Sequence, residues 1–220
     1  MVAVFAHRSY SFDPYKFHAD FESRVMSNQE FRLDLLHEWA VEIATHPSGV
    51  TRDVLRYIRY DEGDWLSKDS SNLDVWYLIT LAEAILPAPH LRIPSYNTIK
   101  EVLPLVGWSA EDVGKLIYGK DLGTLPELYG HKLLHHKFKN LRQYGGWLDL
   151  ADASSLLAKL DATKEYFSLP APESVEAIGE YAGFLGADPS TFLKPAYDDA
   201  RNMLQTAIDR RHALFLSLFD

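Results

Sequence analysis

Apolar residues recur along this chain at helical spacing, in blocks separated by proline, glycine and short polar runs. The clearest block is Phe31, Leu35, Trp39 and Ile43, four apart and widened by Leu36 and Ala40, which predicts an amphipathic helix. Ser27-Asn28-Gln29-Glu30 stands ahead of it as a capping box, and His46-Pro47-Ser48-Gly49 ends it. Upstream, Asp13 can cap a helix that has Pro14 at its first position, where the missing N–H costs nothing. Val54, Leu55 and Ile58 predict a short helix over 51–60, followed by a loop at 61–64. Ser71-Asn72-Leu73-Asp74 opens a further helix with the stripe Val75, Leu78, Ile79, Ala82 and Leu86, stopped by Pro87.

The second half continues in the same manner. Residues 95–103 read as a helix with Pro104 near its end, and Ser109-Ala110-Glu111-Asp112 caps a short one reaching Ile117. After a loop at 118–123, the pattern predicts a helix over 132–142 ended by Gly145-Gly146. Asp149 or Asp152 caps the next, which carries Leu156, Leu157, Leu160 and Phe167 and is broken by Pro170-Ala171-Pro172. Residues 173–184 are helical in pattern. Asp188-Pro189-Ser190-Thr191 then starts a helix that carries Phe192, Ala196, Ala200, Met203, Leu204, Ala207 and Ile208 and runs to about His212.

Two apolar runs lack helical spacing and sit at the chain's ends: Val2–Phe5 and Ala213–Phe219. The first reads as a buried strand, and the second as a strand or as the last turns of the preceding helix. Pairing of the two would make a small sheet capped by helices. The expected fold is therefore mainly α-helical (α+β), with an all-α arrangement as the alternative. Length permits a single domain over 1–220, or two closely packed lobes, 1–86 and 95–220, joined by the Pro-rich segment 87–94. No fixed-period repeat is present, which disfavours a solenoid.

Composition narrows the function classes. The chain has no cysteine, which excludes disulfides, thiolate metal sites and a thiol nucleophile and fits a reducing compartment. The first residues lack a basic leader and a full apolar stretch, and no apolar run approaches a membrane span, so a cytoplasmic location without membrane association is expected. The formal net charge of -9 weighs against a dedicated nucleic-acid binder and suits a basic protein partner. Dinucleotide-binding, phosphate-loop, zinc-protease and serine-hydrolase motifs are all missing from the sequence, and no cofactor is implied.

One stretch stands out chemically. Residues 130–142 hold His131, His135, His136, Lys132, Lys137, Lys139 and Arg142 with no acid, inside an acidic chain. On a helix His131 and His135 share a face, but the neighbouring cations oppose a metal ion, and no metal is expected there. An acidic protein, a phosphorylated ligand or another anionic group suits the stretch better. The competing reading is a solvated helix face whose Leu133, Leu134, Phe138 and Leu141 pack inward. The remaining histidines, His7, His18, His37, His46, His90 and His212, are scattered, and His37 beside Glu38 reads as a partly buried structural side chain. Asp61, Glu62 and Asp64 lack the spacing of a calcium loop. Glu111 with Asp112 and Asp198 with Asp199 fit helix N-terminal preference and surface placement. Trp65, Trp76, Trp108 and Trp147 read as side chains that seal loops against the core or line a cleft.

Tyr166-Phe167 follows the helix that starts from Trp147-Leu148-Asp149, and Tyr197-Asp198-Asp199-Ala200-Arg201-Asn202-Met203-Leu204-Gln205-Thr206-Ala207 precedes Ala213-Leu214-Phe215-Leu216-Ser217. This C-terminal third is similar to the end of the small uncharacterised bacterial proteins of the YfbM-like (DUF1877) class. The resemblance implies a bacterial α+β domain in which a long helix leads to an apolar closing strand, and it implies no catalytic residues. The expected function is a non-enzymatic protein-interaction or regulatory module of the immunity type. The alternative is a small-ligand-binding protein or enzyme acting on an anionic substrate through residues 131–142.

Overall fold

The two ends of the chain meet at the centre of one antiparallel sheet. The computed structural model describes residues 6–44, 83–86, 91–93, 96–121, 124, 145–168, 176, 188 and 190–219. Among them, β1 (Ala6–Phe12) lies beside β4 (Ala213–Phe219), with β2 (Leu91–Ile93) outside β1 and β3 (Gly145–Leu148) outside β4. Every pairing is antiparallel, and β1 and β4 run in register from Ala6↔Phe219 to Phe12↔Ala213. The fold is thus mainly helical with a small sheet built from N- and C-terminal strands, and the sheet excludes the all-α alternative. The opening strand is described from Ala6 to Phe12, and the expected Val2–Phe5 lies outside the described residues. Its serines disguised it: Ser9 and Ser11 alternate with Tyr10 and Phe12, yet all four are buried. A serine is small enough to lie in a packed face, where hydropathy alone would not put it.

The chain forms two compact units: Met1–Phe12, Ala88–Asp121 and Arg142–Asp220 make up the first, and Asp13–Pro87 and Leu122–Leu141 the second. In the first, one sheet face presents Ser9, Ser11, Leu148, Leu214 and Leu216 to helices α3 (Tyr96–Leu105), α4 (Ala110–Tyr118), α5 (Leu150–Ala162), α6 (Lys164–Ser168) and α7 (Ser190–Arg210). The buried stripe of α7 is Leu193, Ala196, Tyr197, Ala200, Met203, Leu204 and Ala207, and it packs chiefly on Ala153, Leu156 and Leu160 of α5. The 3–4 spacing predicted from the sequence is therefore the packing face. The opposite sheet face is aromatic, with Tyr10, Phe12, Trp147 and Phe215 all buried.

In the second unit, Asp13 accepts from the Tyr15 amide at 2.9 Å and opens α1 (Pro14–Asp20), as its sequence requires. A π-helical segment, Phe21–Met26, continues it, and Phe17, Phe21 and Val25 form a buried stripe four apart. The helix α2 (Gln29–Ala44) then begins at Asn28, whose side chain accepts from the Phe31 amide at 3.0 Å. Ser27 does not act as the cap. Its hydroxyl donates instead to the Glu22 carbonyl and closes the π-helical segment. Arg32 is buried where the apolar pattern gave it no role, and it donates to the Val25 carbonyl at 2.6 Å. Of the helix predicted to stop at Pro87, only 83–86 are described; 83–85 are helical and Leu86 is a bend. Predicted helices over 51–60, 132–142 and 173–184 fall outside the described residues, save for Glu176, which is helical.

Two helices of the first unit end in the same hydrogen-bonded motif with different residues. At the end of α3, Gly107 donates to the Pro104 carbonyl and Trp108 to that of Leu103, with Gly107 at φ +86. At the end of α7, Arg211 donates to Ile208 and His212 to Ala207, with Arg211 at φ 55. The 6→1 and 5→2 bonds of a Schellman cap need a left-handed residue, for which glycine has no Cβ penalty. Arg211→Gly is expected to stabilise the protein by up to about 1 kcal/mol. Chemical denaturation of the two proteins checks this, and a loss of stability would contradict the strained cap.

Candidate functional site

The densest charged cluster among the described residues is built around Lys120. It exists because two glycines let backbone approach backbone. Gly119, at φ +69, caps α4, and a Cβ there would stand 2.6 Å from the Trp147 nitrogen. A Cβ on Gly146 would stand 2.5 Å from the Lys120 carbonyl oxygen. With both side chains absent, Lys120 and Trp147 exchange backbone hydrogen bonds of 2.7 and 3.0 Å and close the outer edge of β3. The Gly145-Gly146 pair, expected to terminate a helix, is therefore the start of a strand, because its lack of side chains serves this approach.

Lys120 Nζ then sits 4.2 Å from the Trp147 ring centroid, 2.5 Å from Asp149 Oδ2 and 2.6 Å from Asp152 Oδ2. The Asp152 contact is an ion pair without the direction of a good hydrogen bond. Asp149 has a second task, for its Oδ1 accepts from the Asp152 amide at 2.8 Å and caps α5. Of the two caps the sequence offered, Asp149 is the one used. Lys115 reaches Asp152 at 3.5 Å, and Lys159 reaches Asp112 at 2.6 Å, tying α4 to α5. Asp112 also takes the Ser109 hydroxyl and caps α4 with it, as its sequence predicted.

The electrostatics fix these charges. Burial opposes the Lys120 ammonium, but the hydrogen bond it donates to Asp149 and the attraction of Asp149 and Asp152 outweigh it and raise its pKa. Burial likewise opposes the Asp149 carboxylate, and Lys120 with the Asp152 amide nevertheless lowers its pKa. The hydrogen bonds from Lys159 and Ser109 lower that of Asp112. A lysine so held stays protonated at neutral pH and cannot act as a nucleophile or base. A second cluster joins α5 to α7: Tyr197 Oη donates to Asp161 at 2.9 Å and Arg201 Nε donates to it at 2.8 Å. These donors outweigh burial and lower the Asp161 pKa, while burial and then Asp161 raise that of Tyr197. Asp199 differs, its pKa being raised by burial and by Asp198; both residues are half-buried and lie inside α7, not at its N-terminus as expected for that pair.

Depressed carboxylate pKa values contribute stability that is present above the ordinary carboxylate range and is lost as pH falls through it. Asp149, Asp112 and Asp161 all carry this sign. Lys120→Met is expected to cost about 1–3 kcal/mol at pH 7, the lower end reflecting the partial exposure of Asp149. The difference from the parent protein should shrink as pH falls below about 4, because the unfolded carboxylates then take up protons and the parent loses the advantage of its depressed Asp149 pKa. Urea titrations at pH 7 and pH 3 test this, and a pH-independent difference would remove the ion cluster as its cause.

The sequence singled out other residues. His131, Lys132, His135, His136, Lys139 and Arg142 lie outside the described residues, as do His46, His90, Asp61, Glu62, Asp64, Trp65 and Trp76. His37, expected to be partly buried, is exposed on α2. His212 accepts or donates at 3.0 Å to the Ser11 hydroxyl, which ties the end of α7 to β1. Trp108 and Trp147 are both buried, as loop-sealing side chains are. No group of three or more His, Cys, Asp or Glu able to hold a metal occurs among the described residues, and no helix there is long and apolar enough to cross a membrane. The Lys120 cluster had no spacing signal, since its members are brought together across 27 residues or more by tertiary pairing; the glycines around it were the available hint. No family model, no curated protein and no solved structure matches the chain.

Proposed function

We propose that the chain is a non-enzymatic protein-interaction module of the regulatory or immunity type, acting in a bacterial cytoplasm. The observation that carries the reading is a set of large apolar side chains standing in water on the first unit: Leu105 at 52% exposure, Tyr166 at 47% and Leu150 at 39%. Such side chains gain the most from being covered by a partner. The charged clusters of the same unit are occupied internally, with pKa values moved away from neutrality, which suits cohesion rather than proton transfer. The net charge of -9 favours a basic protein through long-range steering. Kinship with the YfbM-like class belongs to the same proposal, supported by the passage from the long helix α7 to the closing strand β4.

The test is cross-linking in native extract, comparing the parent protein with a Leu105→Lys, Leu150→Lys, Tyr166→Ala variant of unchanged circular dichroism. A defined protein partner held by the parent and lost by the variant is the expected result. The same proteins with both, or none with either, would end the reading. The second reading, binding of an anionic ligand by His131, Lys132, His135, His136, Lys139 and Arg142, is favoured by the concentration of cations in that acid-free stretch. Calorimetric titration with pyrophosphate at two salt concentrations separates it, because a salt-sensitive heat lost in Lys132→Ala, Lys139→Ala, Arg142→Ala is its signature.

A further inference from the structure

We draw no further inference here: the strongest candidate, the Ser11–His212 side-chain pair between β1 and the end of α7, has its serine only 2% exposed on the helix-covered face of the sheet, where it serves as the tie already described and no substrate reaches it.

Discussion

Gly146→Val is expected to lower the melting temperature by roughly 6–12 °C, the equivalent of about 3 kcal/mol or more. The clash is with backbone, which sets it apart from ordinary overpacking. A Cβ on Gly146 meets the carbonyl oxygens of both Tyr118 and Lys120, and neither can rotate away as a side-chain tip would. Relief requires the segment after α4 to withdraw from β3. That withdrawal would break the two backbone hydrogen bonds between Lys120 and Trp147 and pull Lys120 from Asp149 and Asp152. It would also loosen the bond from the Trp147 indole to the Asp121 carbonyl, now 3.2 Å. Gly114 provides the control. It lies within α4, and a Cβ there meets nothing within 4 Å. Gly114→Ala should therefore raise stability by about 0.5–1 kcal/mol through helix propensity alone. Thermal melts of the two variants beside the parent decide the matter. A Gly146→Val protein that melts with the parent would mean that the α4–β3 approach is wrong.

Phe215→Ala should cost about 3–5 kcal/mol, the range for emptying a large aromatic site in a packed core. Phe215 is fully buried in β4, one of the two central strands. Its ring stands edge-on to Tyr10 at 6.1 Å and 62° and to Phe12 at 6.4 Å and 85°. On the other side it lies opposite Trp147 in the β3 pairing. Edge-to-face pairs add about 0.5–1.5 kcal/mol beyond the area they bury. Their loss adds to the cavity, which a sheet pinned on both sides collapses into poorly. Phe215→Leu retains most of the volume and should cost no more than about half as much. Urea midpoints at unchanged slope measure both. A cost below about 1 kcal/mol for the alanine variant would show that the aromatic face is loosely packed.

The helices were legible because each carries its own instructions. Asp13-Pro14, Ser109 with Asp112, Asp149, and the 3–4 stripe from Leu193 to Ala207 all act within a few residues of themselves. The closing run Ala213–Phe219 was legible only as a strand or as the last turns of the helix before it, and pairing with β1 and β3 makes it a strand. The stretch Ala6–Phe12 that pairs with it was not legible, because Ser9 and Ser11 carry no hydropathic mark and their burial depends on the helices laid over them. The strand β3 was missed for a related reason. Glycine pairs signal helix ends when read locally, and only the nearness of Tyr118 and Lys120 turns the same residues into a site of close approach.

The chemistry divides along the same line. Local sequence was sufficient for the caps of α1 and α4 and for the buried face of α7, and it narrowed the cap of α5 to Asp149 or Asp152, since short-range hydrogen bonds and periodic burial are encoded in neighbouring residues. Tertiary structure alone decided that Lys120 would lie between Asp149, Asp152 and Trp147, that Tyr197 and Arg201 would share Asp161, and that His212 would find Ser11. Those partners are 27 to 201 residues apart, and their meeting depends on strand register and helix packing, which no local pattern specifies.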